Sequence, residues 1–211
     1  MCNLYRMTKP TAEVAHLFGA AVGEIGNAGG REVYPGYPGL VLAGGEVQAM
    51  AWGFPLALTG AKGQKLKPRP VNNAREDKLT GPFWRDSFRA RRCLIPLDDW
   101  AEAEGEKGRM TRTWYSLPGD EPFAVAGIWR DTVEWGRAYS MVMVDSCPFM
   151  AEAHDRMPLI LPADAWTAWQ EGDAQAALAL CRPWPGPLEV ARTAEPWFQR
   201  PGAAGPAPRL L

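Results

Sequence analysis

Four short apolar runs in the middle of the chain constrain its fold more than any other feature of the sequence. They are rich in β-branched and aromatic residues, turn residues separate them, and they cover residues 93–97, 113–117, 123–129 and 138–144. Runs of this length and composition are typical of strands, and the short connections favour antiparallel pairing. We therefore predict an α+β fold whose core is a curved, mainly antiparallel sheet or an open β-barrel, with a few peripheral helices.

Weaker patterns predict the elements around this sheet. Residues 40–43 and 47–54 have strand character, whereas the Gly-, Lys- and Pro-rich stretch 59–70 is predicted to be an exposed loop. Three helices are expected, each behind a capping residue: Thr8 for a helix reaching about residue 20, Asp164 for 165–170 and Asp173 for 174–180. The helices are therefore few and lie outside the central strands.

The length of the chain bounds the number of its domains. Domains commonly contain about 100–200 residues, so the 211 residues predict one domain, over 1–199. Residues 200–211 are mostly Pro, Gly and Ala, and are predicted to form a flexible tail. Hydrophobic residues make up 46% of the chain and charged residues 22%, which excludes the classes of disordered and coiled-coil proteins.

No stretch of the sequence predicts a membrane span or an export signal. The uncharged apolar stretches are far shorter than the ~20 residues that cross a bilayer, and the first ten residues lack an apolar signal segment. Cys2, Cys93, Cys147 and Cys181 include no Cys-x-x-Cys pair, so neither a metal nor another cofactor is expected. The sequence therefore predicts a monomeric cytoplasmic protein with free thiols.

Positive charge is concentrated in residues 62–92, which we call the basic segment. It contains ten Lys and Arg residues against three Asp and Glu, an excess of seven positive charges, whereas the whole chain has a formal net charge of −1. Such an excess is typical of a surface that binds a polyanion such as nucleic acid, and it is also compatible with a solvated face. The sequence leaves both alternatives open.

Cys2 has the most distinctive chemistry in the sequence. Removal of Met1, which a small second residue favours, would leave Cys2 with an α-amine and a thiol on adjacent carbons. Their ordinary pKa values are about 8 and about 8.5, so part of the amine is uncharged and nucleophilic at neutral pH. The pair could condense with an aldehyde and close to a five-membered thiazolidine, or the thiol could attack a carbonyl as in a peptidase or amidase.

Three further segments combine amide, carboxyl, imidazole and guanidinium groups. They are 72–76 (Asn-Asn-Ala-Arg-Glu), 98–102 (Asp-Asp-Trp-Ala-Glu) and 154–158 (His-Asp-Arg-Met-Pro). With the Met-Cys start, and in this order, they resemble the SOS-response-associated peptidase (SRAP) family over about residues 2–190. Members of that family shield abasic sites in single-stranded DNA by bonding to them through the N-terminal cysteine. The resemblance implies a DNA-associated protein of the DNA damage response whose partner is single-stranded DNA containing abasic sites.

The resemblance also implies a role for each matched residue of the reactive centre. Cys2 would form the thiazolidine with the ring-opened sugar, and Asn73 would hold the cysteine and the sugar by hydrogen bonds. Glu102 and His154 would move the protons that ring opening and loss of water require. Glu104 lies two residues beyond Glu102, and a shift of the alignment would exchange their roles. In isolation, Asn73 could equally occupy a turn, and His154 could be a structural histidine.

Three residues are assigned to DNA binding on the same basis. Arg75 and Arg156 would hold the phosphates that flank the lesion, although either could instead form an internal ion pair with a neighbouring carboxylate such as Glu76. Trp52 begins a segment similar to the family's Trp-Gly-Leu-Ile-Pro, and it would either stack on a base or belong to the core.

The chain departs from the family pattern at four positions: Asn3, Leu4, Ala101 and Ala103. The family usually begins close to Met-Cys-Gly-Arg, so the arginine at position 4 is missing, and Arg6 is a candidate substitute. Aromatic residues are usual at the two alanine positions, so base stacking there is reduced. Two alternative functions stay open. Cys2 with Glu102 and His154 could instead form a cysteine-type peptidase that could also remove its own Met1, and the departures suggest a noncatalytic binder of single-stranded DNA.

Overall fold

The structure is a computed structural model that describes residues 2–26, 28, 31–119 and 121–197. Its strands within these residues are β1 (Tyr5–Arg6), β2 (Ala21–Val22), β3 (Glu32–Val33), β4 (Pro38–Ala43), β5 (Glu46–Trp52), β6 (Phe54–Thr59), β7 (Lys65–Val71), β8 (Asn73–Arg75), β9 (Arg92–Leu97), β10 (Asp99–Glu104), β11 (Thr111–Ser116), β12 (Phe123–Thr132), β13 (Gly136–Asp145), β14 (Arg156–Pro158), β15 (Ile160–Leu161) and β16 (Glu189–Pro196). Its helices there are α1 (Thr11–Leu17), α2 (Arg85–Ala90), α3 (Trp166–Glu171) and α4 (Ala174–Ala179). The tail predicted over 200–211 lies outside the described residues, so the domain boundary at 199 stays a prediction.

Five strands close into a β-barrel. β13 pairs with β12, β12 with β9, β9 with β4 and β4 with β5, all antiparallel. β5 then pairs in parallel with β13, with Trp52 beside Tyr139, and this pairing closes the ring. The prediction of an α+β fold with a curved, mainly antiparallel sheet and few helices is confirmed, and the barrel is closed rather than open.

A second sheet, in the order β16-β11-β10-β1-β3, holds the beginning of the chain. β1 lies between β10 and β3, with Tyr5 beside Trp100 on one side and beside Val33 on the other. Because β1 and β10 are antiparallel, the residues before Tyr5 continue alongside the residues that follow Trp100. The N-terminal cysteine is thereby brought to the predicted acidic segment.

β13 brings the other two predicted segments together. β8 runs parallel to β13, with Asn73 beside Met141, and β14 runs antiparallel to it, with Arg156 beside Asp145. Both short strands therefore lie at the carboxyl-terminal half of the same long barrel strand. Segments that are about 80 residues apart in the sequence become neighbours only through this shared strand.

The predicted helices exist, but two of their three caps differ. α1 follows Pro10 and has no side-chain cap, and α3 begins two residues after Asp164, so the predictions of Thr8 and Asp164 as N-caps are wrong. Asp173 does cap α4, because its carboxylate accepts a hydrogen bond from the N–H of Ala176 at 2.8 Å. In the described part of the chain, no helix combines the length and apolar character that a membrane crossing requires.

The loop predicted over 59–70 is wrong, because most of it belongs to a hairpin. β6 and β7 pair with each other and with no other strand among the described residues. Pro68 and Pro70 suggested a loop, yet proline is tolerated in strands whose N–H side is unpaired. Three basic side chains of β7, Lys65, Lys67 and Arg69, are exposed, and the pairing register with β6 shifts between Leu66 and Arg69.

Candidate functional site

Cys2 is fully buried at the end of the N-terminal segment. The carbonyl oxygen of Leu4 accepts a hydrogen bond from the N–H of Ala101 at 2.9 Å, which extends the pairing with β10 towards residue 2. The Cys2 thiol donates to the same carbonyl of Leu4 at 3.6 Å. Burial raises the pKa of this thiol, and the negative charge of Glu102 raises it further, so the sulfur is held in its protonated form.

Two asparagine amides hold the backbone of residue 2. Nδ2 of Asn73 donates to the carbonyl oxygen of Cys2 at 2.8 Å, and Nδ2 of Asn72 donates to the same oxygen at 2.9 Å. The side chain of Asn73 is buried, and its Oδ1 accepts no hydrogen bond from any described residue. Sequence reasoning proposed Asn73 and missed Asn72, whose one signal was its place beside Asn73.

Trp52 supports this asparagine pair from the barrel. Its ring Nε1–H donates to the backbone oxygen of Asn72 at 3.1 Å, and that oxygen also accepts from the N–H of Met141 at 2.9 Å. The side chain is fully buried, with the rings of Tyr5 and Tyr139 centred 5.0 Å and 6.4 Å from its own. No face of the Trp52 ring is open, so the base-stacking alternative is incompatible with this burial. Trp52 is a core residue that positions Asn72.

Glu102 is a buried acid on β10 whose side chain is near residue 2. Only 3% of it is exposed, and this burial raises the pKa of its carboxyl to about 7. The negative charge of Glu102 contributes to the raised pKa of the Cys2 thiol. A carboxyl with a pKa near neutrality is present in both forms at neutral pH, so it can donate or accept a proton.

Glu104, the alternative to Glu102, has a different environment. It accepts a hydrogen bond from the hydroxyl of Tyr115 at 2.7 Å and one from Nε of Arg192 at 3.0 Å. Partial burial opposes ionisation, but these partners outweigh it, and the pKa of Glu104 lies below its ordinary value. Glu104 is therefore an ionised structural partner, and Glu102 is the acid with the protonation behaviour of a proton-transfer group.

His154 lies before β14 and is neutral at neutral pH. Burial lowers its pKa, and the attraction of Asp155 does not compensate for this effect. Nδ1 of His154 lies 2.9 Å from the N–H nitrogen of Arg156 and 2.9 Å from a carboxylate oxygen of Asp155. The charge of Asp155, the next residue, makes a small contribution to the raised pKa of Glu102.

The two predicted phosphate-binding arginines both have carboxylate partners. Arg75 is exposed and makes two hydrogen bonds of 3.0 Å to Asp77. Arg156 is more enclosed, and its Nη1 lies 2.8 Å from Glu76 and 3.1 Å from Asp145. The internal ion pairs considered from the sequence are therefore present, and a phosphate would have to compete with them. Within the described residues, no group of three or more His, Cys, Asp or Glu is placed to hold a metal ion.

The family model of the SOS response associated peptidase (SRAP) matches residues 1–195. This chain belongs to the SRAP family. A solved structure from Bacteroides thetaiotaomicron has the same fold, with a TM-score of 0.75 and 18% identity over 90% of this chain and 91% of its own. A second, from Bordetella bronchiseptica, has a TM-score of 0.74 and 22% identity over 91% and 99%. At these identities the two structures support the SRAP fold alone.

Two curated proteins of Bacillus subtilis (strain 168) are similar to this SRAP chain. The abasic site processing protein YobE is 28% identical over 116 residues, which are 52% of each chain. The abasic site processing protein YoaM is 28% identical over 127 residues, 57% of this chain and 54% of its own. The SRAP chain thus spans about half the length of the curated relatives it matches.

Two of the four departures of this SRAP chain from the family pattern belong to a small apolar cluster. Leu4 and Ala101 are buried together with Trp114, apart from the main core. The guanidinium of Arg6 lies 3.5 Å from the centre of the Trp114 ring and donates to Asp99 at 2.9 and 2.7 Å. Arg6 therefore has partners within the fold, which does not favour it as a substitute for the missing arginine.

The raised pKa of Glu102 predicts that the SRAP fold loses stability between about pH 4.5 and 7. The ordinary carboxyl pKa is 4.5 and the folded-state value is about 7, so in this range the folded protein binds more protons than the unfolded chain. The free energy of unfolding therefore falls as pH rises, by up to about 3 kcal/mol from this group. Denaturant unfolding of the wild type and Glu102→Gln at pH 4.5, 6 and 8 measures the difference, and parallel pH profiles would contradict the prediction.

Proposed function

We propose that this protein binds single-stranded DNA and forms a covalent thiazolidine with an abasic site through Cys2, after Met1 has been removed. One observation carries the proposal: residue 2 is held at its carbonyl by Asn72 and Asn73, and the neighbouring acid Glu102 has a pKa of about 7. A site for amine chemistry needs an anchored nucleophile and a group that exchanges protons near neutral pH. The names of the curated relatives, abasic site processing proteins, support the same function.

The covalent step uses both functional groups of Cys2. The α-amine adds to the aldehyde carbon of the ring-opened sugar and gives a carbinolamine. Loss of one water gives an imine, and the thiol sulfur then adds to the imine carbon while its proton moves to the nitrogen. The product contains a five-membered ring. The mass of the adduct equals the sum of the masses of protein and DNA less one water. A protonated thiol suits this sequence, because the amine rather than a thiolate makes the first attack.

Glu102 and His154 are the groups that would move protons in these steps. In its protonated form, Glu102 can donate to the leaving hydroxyl of the carbinolamine, and its carboxylate can take the proton back. The imidazole of His154 could assist opening of the sugar ring by moving a proton. The buried Oδ1 of Asn73 is an acceptor that could orient the amine or a sugar hydroxyl.

The proposed DNA-binding surface is the exposed face of the basic segment. Lys65, Lys67 and Arg69 are exposed along β7, and the chain then runs directly into Asn72 and Asn73. A row of cations that leads to the reactive residue would attract the DNA backbone and align it with the site. A protein with this function must work in the compartment that holds the DNA.

A cysteine-type peptidase is the alternative that the family's name suggests. Peptidase cysteines act as thiolates, and their pKa values are lowered by neighbouring cations. The opposite holds at Cys2, where burial and Glu102 raise the pKa of the thiol. We therefore favour the amine-initiated reaction, and removal of Met1 is the peptide-bond cleavage that it requires.

Intact mass measurement tests the proposal directly. The purified protein is incubated with a single-stranded oligonucleotide that contains one abasic site, and with an undamaged strand as control. Loss of the Met1 mass, together with an adduct of protein plus DNA less one water that is stable without reductant, is the expected result. A processed N-terminus without an adduct would reject the proposal, and cleavage of a peptide library would then favour the peptidase.

Arg75→Ala is expected to weaken noncovalent DNA binding at every sequence and to reduce its dependence on salt. Arg75 is exposed beside the site, and each phosphate contact on a single strand contributes about 0.7 to the slope of log affinity against log salt concentration. Fluorescence anisotropy at several salt concentrations measures this slope. Arg109→Ala is the matched control, since Arg109 is exposed but lies outside the basic segment. An unchanged slope for Arg75→Ala would exclude a phosphate contact by Arg75 and leave its ion pair with Asp77 as its role.

A further inference from the structure

Asn3 is an exposed residue between two buried ones, Cys2 and Leu4. Its Oδ1 accepts a hydrogen bond of 3.1 Å from Nδ2 of Asn72, the nitrogen that also donates to the carbonyl of Cys2 at 2.9 Å. An amide nitrogen has two hydrogens, so these two acceptors use both donors of Asn72. Asn3 is thus attached to the site through its oxygen, and its nitrogen is directed away from Asn72.

The amide nitrogen of Asn3 is a pre-oriented donor at the mouth of the site. Among the residues that the structure describes, none accepts a hydrogen bond from this Nδ2. Because Asn72 holds the oxygen, the amide cannot turn freely, and its two N–H groups are presented to solvent next to Cys2. A donor of this kind fits a ligand that offers an oxygen acceptor close to the atom bonded by Cys2.

We infer that Asn3 donates a hydrogen bond to a phosphate oxygen directly beside the abasic sugar. This inference rests on the proposed function. An abasic nucleotide has no base, so the strongest acceptors near its sugar are the two phosphates esterified to it. Consecutive Cα atoms are only ~3.8 Å apart, so a side chain at position 3 reaches groups attached to a sugar that is bonded to residue 2. Asparagine is among the residues that commonly donate to phosphate in DNA complexes.

The neighbouring side chains strengthen the assignment to Asn3. Leu4 is buried with Ala101 and Trp114, and the guanidinium of Arg6 is engaged by Asp99. Leu4 therefore offers no donor in place of the arginine that the family pattern has at position 4, and Nε and Nη2 of Arg6 are bonded to Asp99. Glycine is usual at position 3 in that pattern and has no side-chain donor. The proposed contact therefore belongs to this chain and is lacking in family members that have glycine there.

Two variants separate phosphate binding from support of Asn72. Asn3→Gly removes both the donor and the acceptor. Asn3→Asp keeps an oxygen that Asn72 can bond, but replaces the N–H donors by a negatively charged oxygen. If Asn3 only holds Asn72, Asn3→Asp should bind DNA with an affinity similar to that of the wild type. If Asn3 binds a phosphate, Asn3→Asp should bind DNA more weakly than Asn3→Gly does.

The ligand is a single strand with a tetrahydrofuran abasic analogue, which cannot react with the amine, so anisotropy reports noncovalent binding alone. Two further strands carry a neutral methylphosphonate in place of the phosphate on the 5′ or the 3′ side of the analogue. For the wild type, one of the two replacements should weaken binding about tenfold more than the other. Asn3→Gly should bind the unmodified strand about tenfold more weakly than the wild type, and its affinity should not differ between the two methylphosphonate strands. Asn3→Asp should bind the unmodified strand more weakly still.

The inference would be overturned if the wild type and both variants bound the unmodified strand with equal affinity. It would also be overturned if the two methylphosphonate strands differed in affinity by the same factor for Asn3→Gly as for the wild type. The reactive abasic strand tests the proposed function separately. If wild-type protein binds the analogue as expected but forms no adduct with the reactive strand, the covalent chemistry fails while the Asn3 contact stands. If the adduct forms but the variants bind the analogue like the wild type, the Asn3 contact fails alone.

Discussion

Replacing Cys2 by alanine is expected to abolish the DNA adduct that is stable without reductant, while noncovalent binding of single-stranded DNA stays close to that of the wild type. The variant keeps an α-amine after removal of Met1, so it can still form an imine with the aldehyde. Without sulfur the imine cannot close to a thiazolidine, and water reverses it. The basic segment is unchanged, so its electrostatic contribution to binding is retained.

The measurement is denaturing electrophoresis of the abasic strand with wild type, Cys2→Ala and Cys2→Ser, with and without borohydride. Borohydride should trap an imine adduct for both variants, which would show that the amine attacks first. Cys181→Ala is the matched control, because it removes a partly buried thiol outside the site and should react like the wild type. A stable adduct with Cys2→Ala in the absence of borohydride would exclude Cys2 as the source of the ring sulfur.

Glu102→Gln is expected to slow adduct formation about 10²- to 10⁴-fold with little effect on DNA affinity. Glutamine keeps the size and polarity of the buried side chain but cannot donate a proton to the leaving hydroxyl. The wild-type rate should fall above about pH 7 as the Glu102 carboxyl ionises, and rise on the acid side as the amine loses its proton. The rate of Glu102→Gln should not decline above pH 7, but it should still rise with pH on the acid side.

Single-turnover rates from pH 5 to 9, with the protein in excess over the abasic strand, test this assignment. Glu104→Gln is the matched control, because Glu104 lies two residues further along β10 and is held in ionised form by Tyr115 and Arg192. Its rate and pH profile should resemble those of the wild type. A larger loss of rate in Glu104→Gln than in Glu102→Gln would show that Glu104 is the proton-transfer group and that Glu102 is not.

The strands of the barrel were predictable because their signals are local. The runs over 93–97, 123–129 and 138–144 correspond to β9, β12 and β13, since β-branched and aromatic residues fit a pleated, buried surface. The hairpin of β6 and β7 was missed because Gly, Lys and Pro are poor strand formers, and only the partner strand satisfies the backbone there. α2 (Arg85–Ala90) was missed as well.

The chemistry at residue 2 was also accessible from the sequence, because an α-amine and a thiol on one residue need no fold to be recognised. Only the tertiary structure decided which side chains lie around it. Glu102 is the buried acid of β10, whereas Glu104 is bound by Tyr115 and Arg192. The pairing of β8 with β13 adds Asn72 to Asn73, and barrel closure buries Trp52 beneath them. Burial and long-range pairing depend on residues far apart in the chain, so local sequence patterns do not contain them.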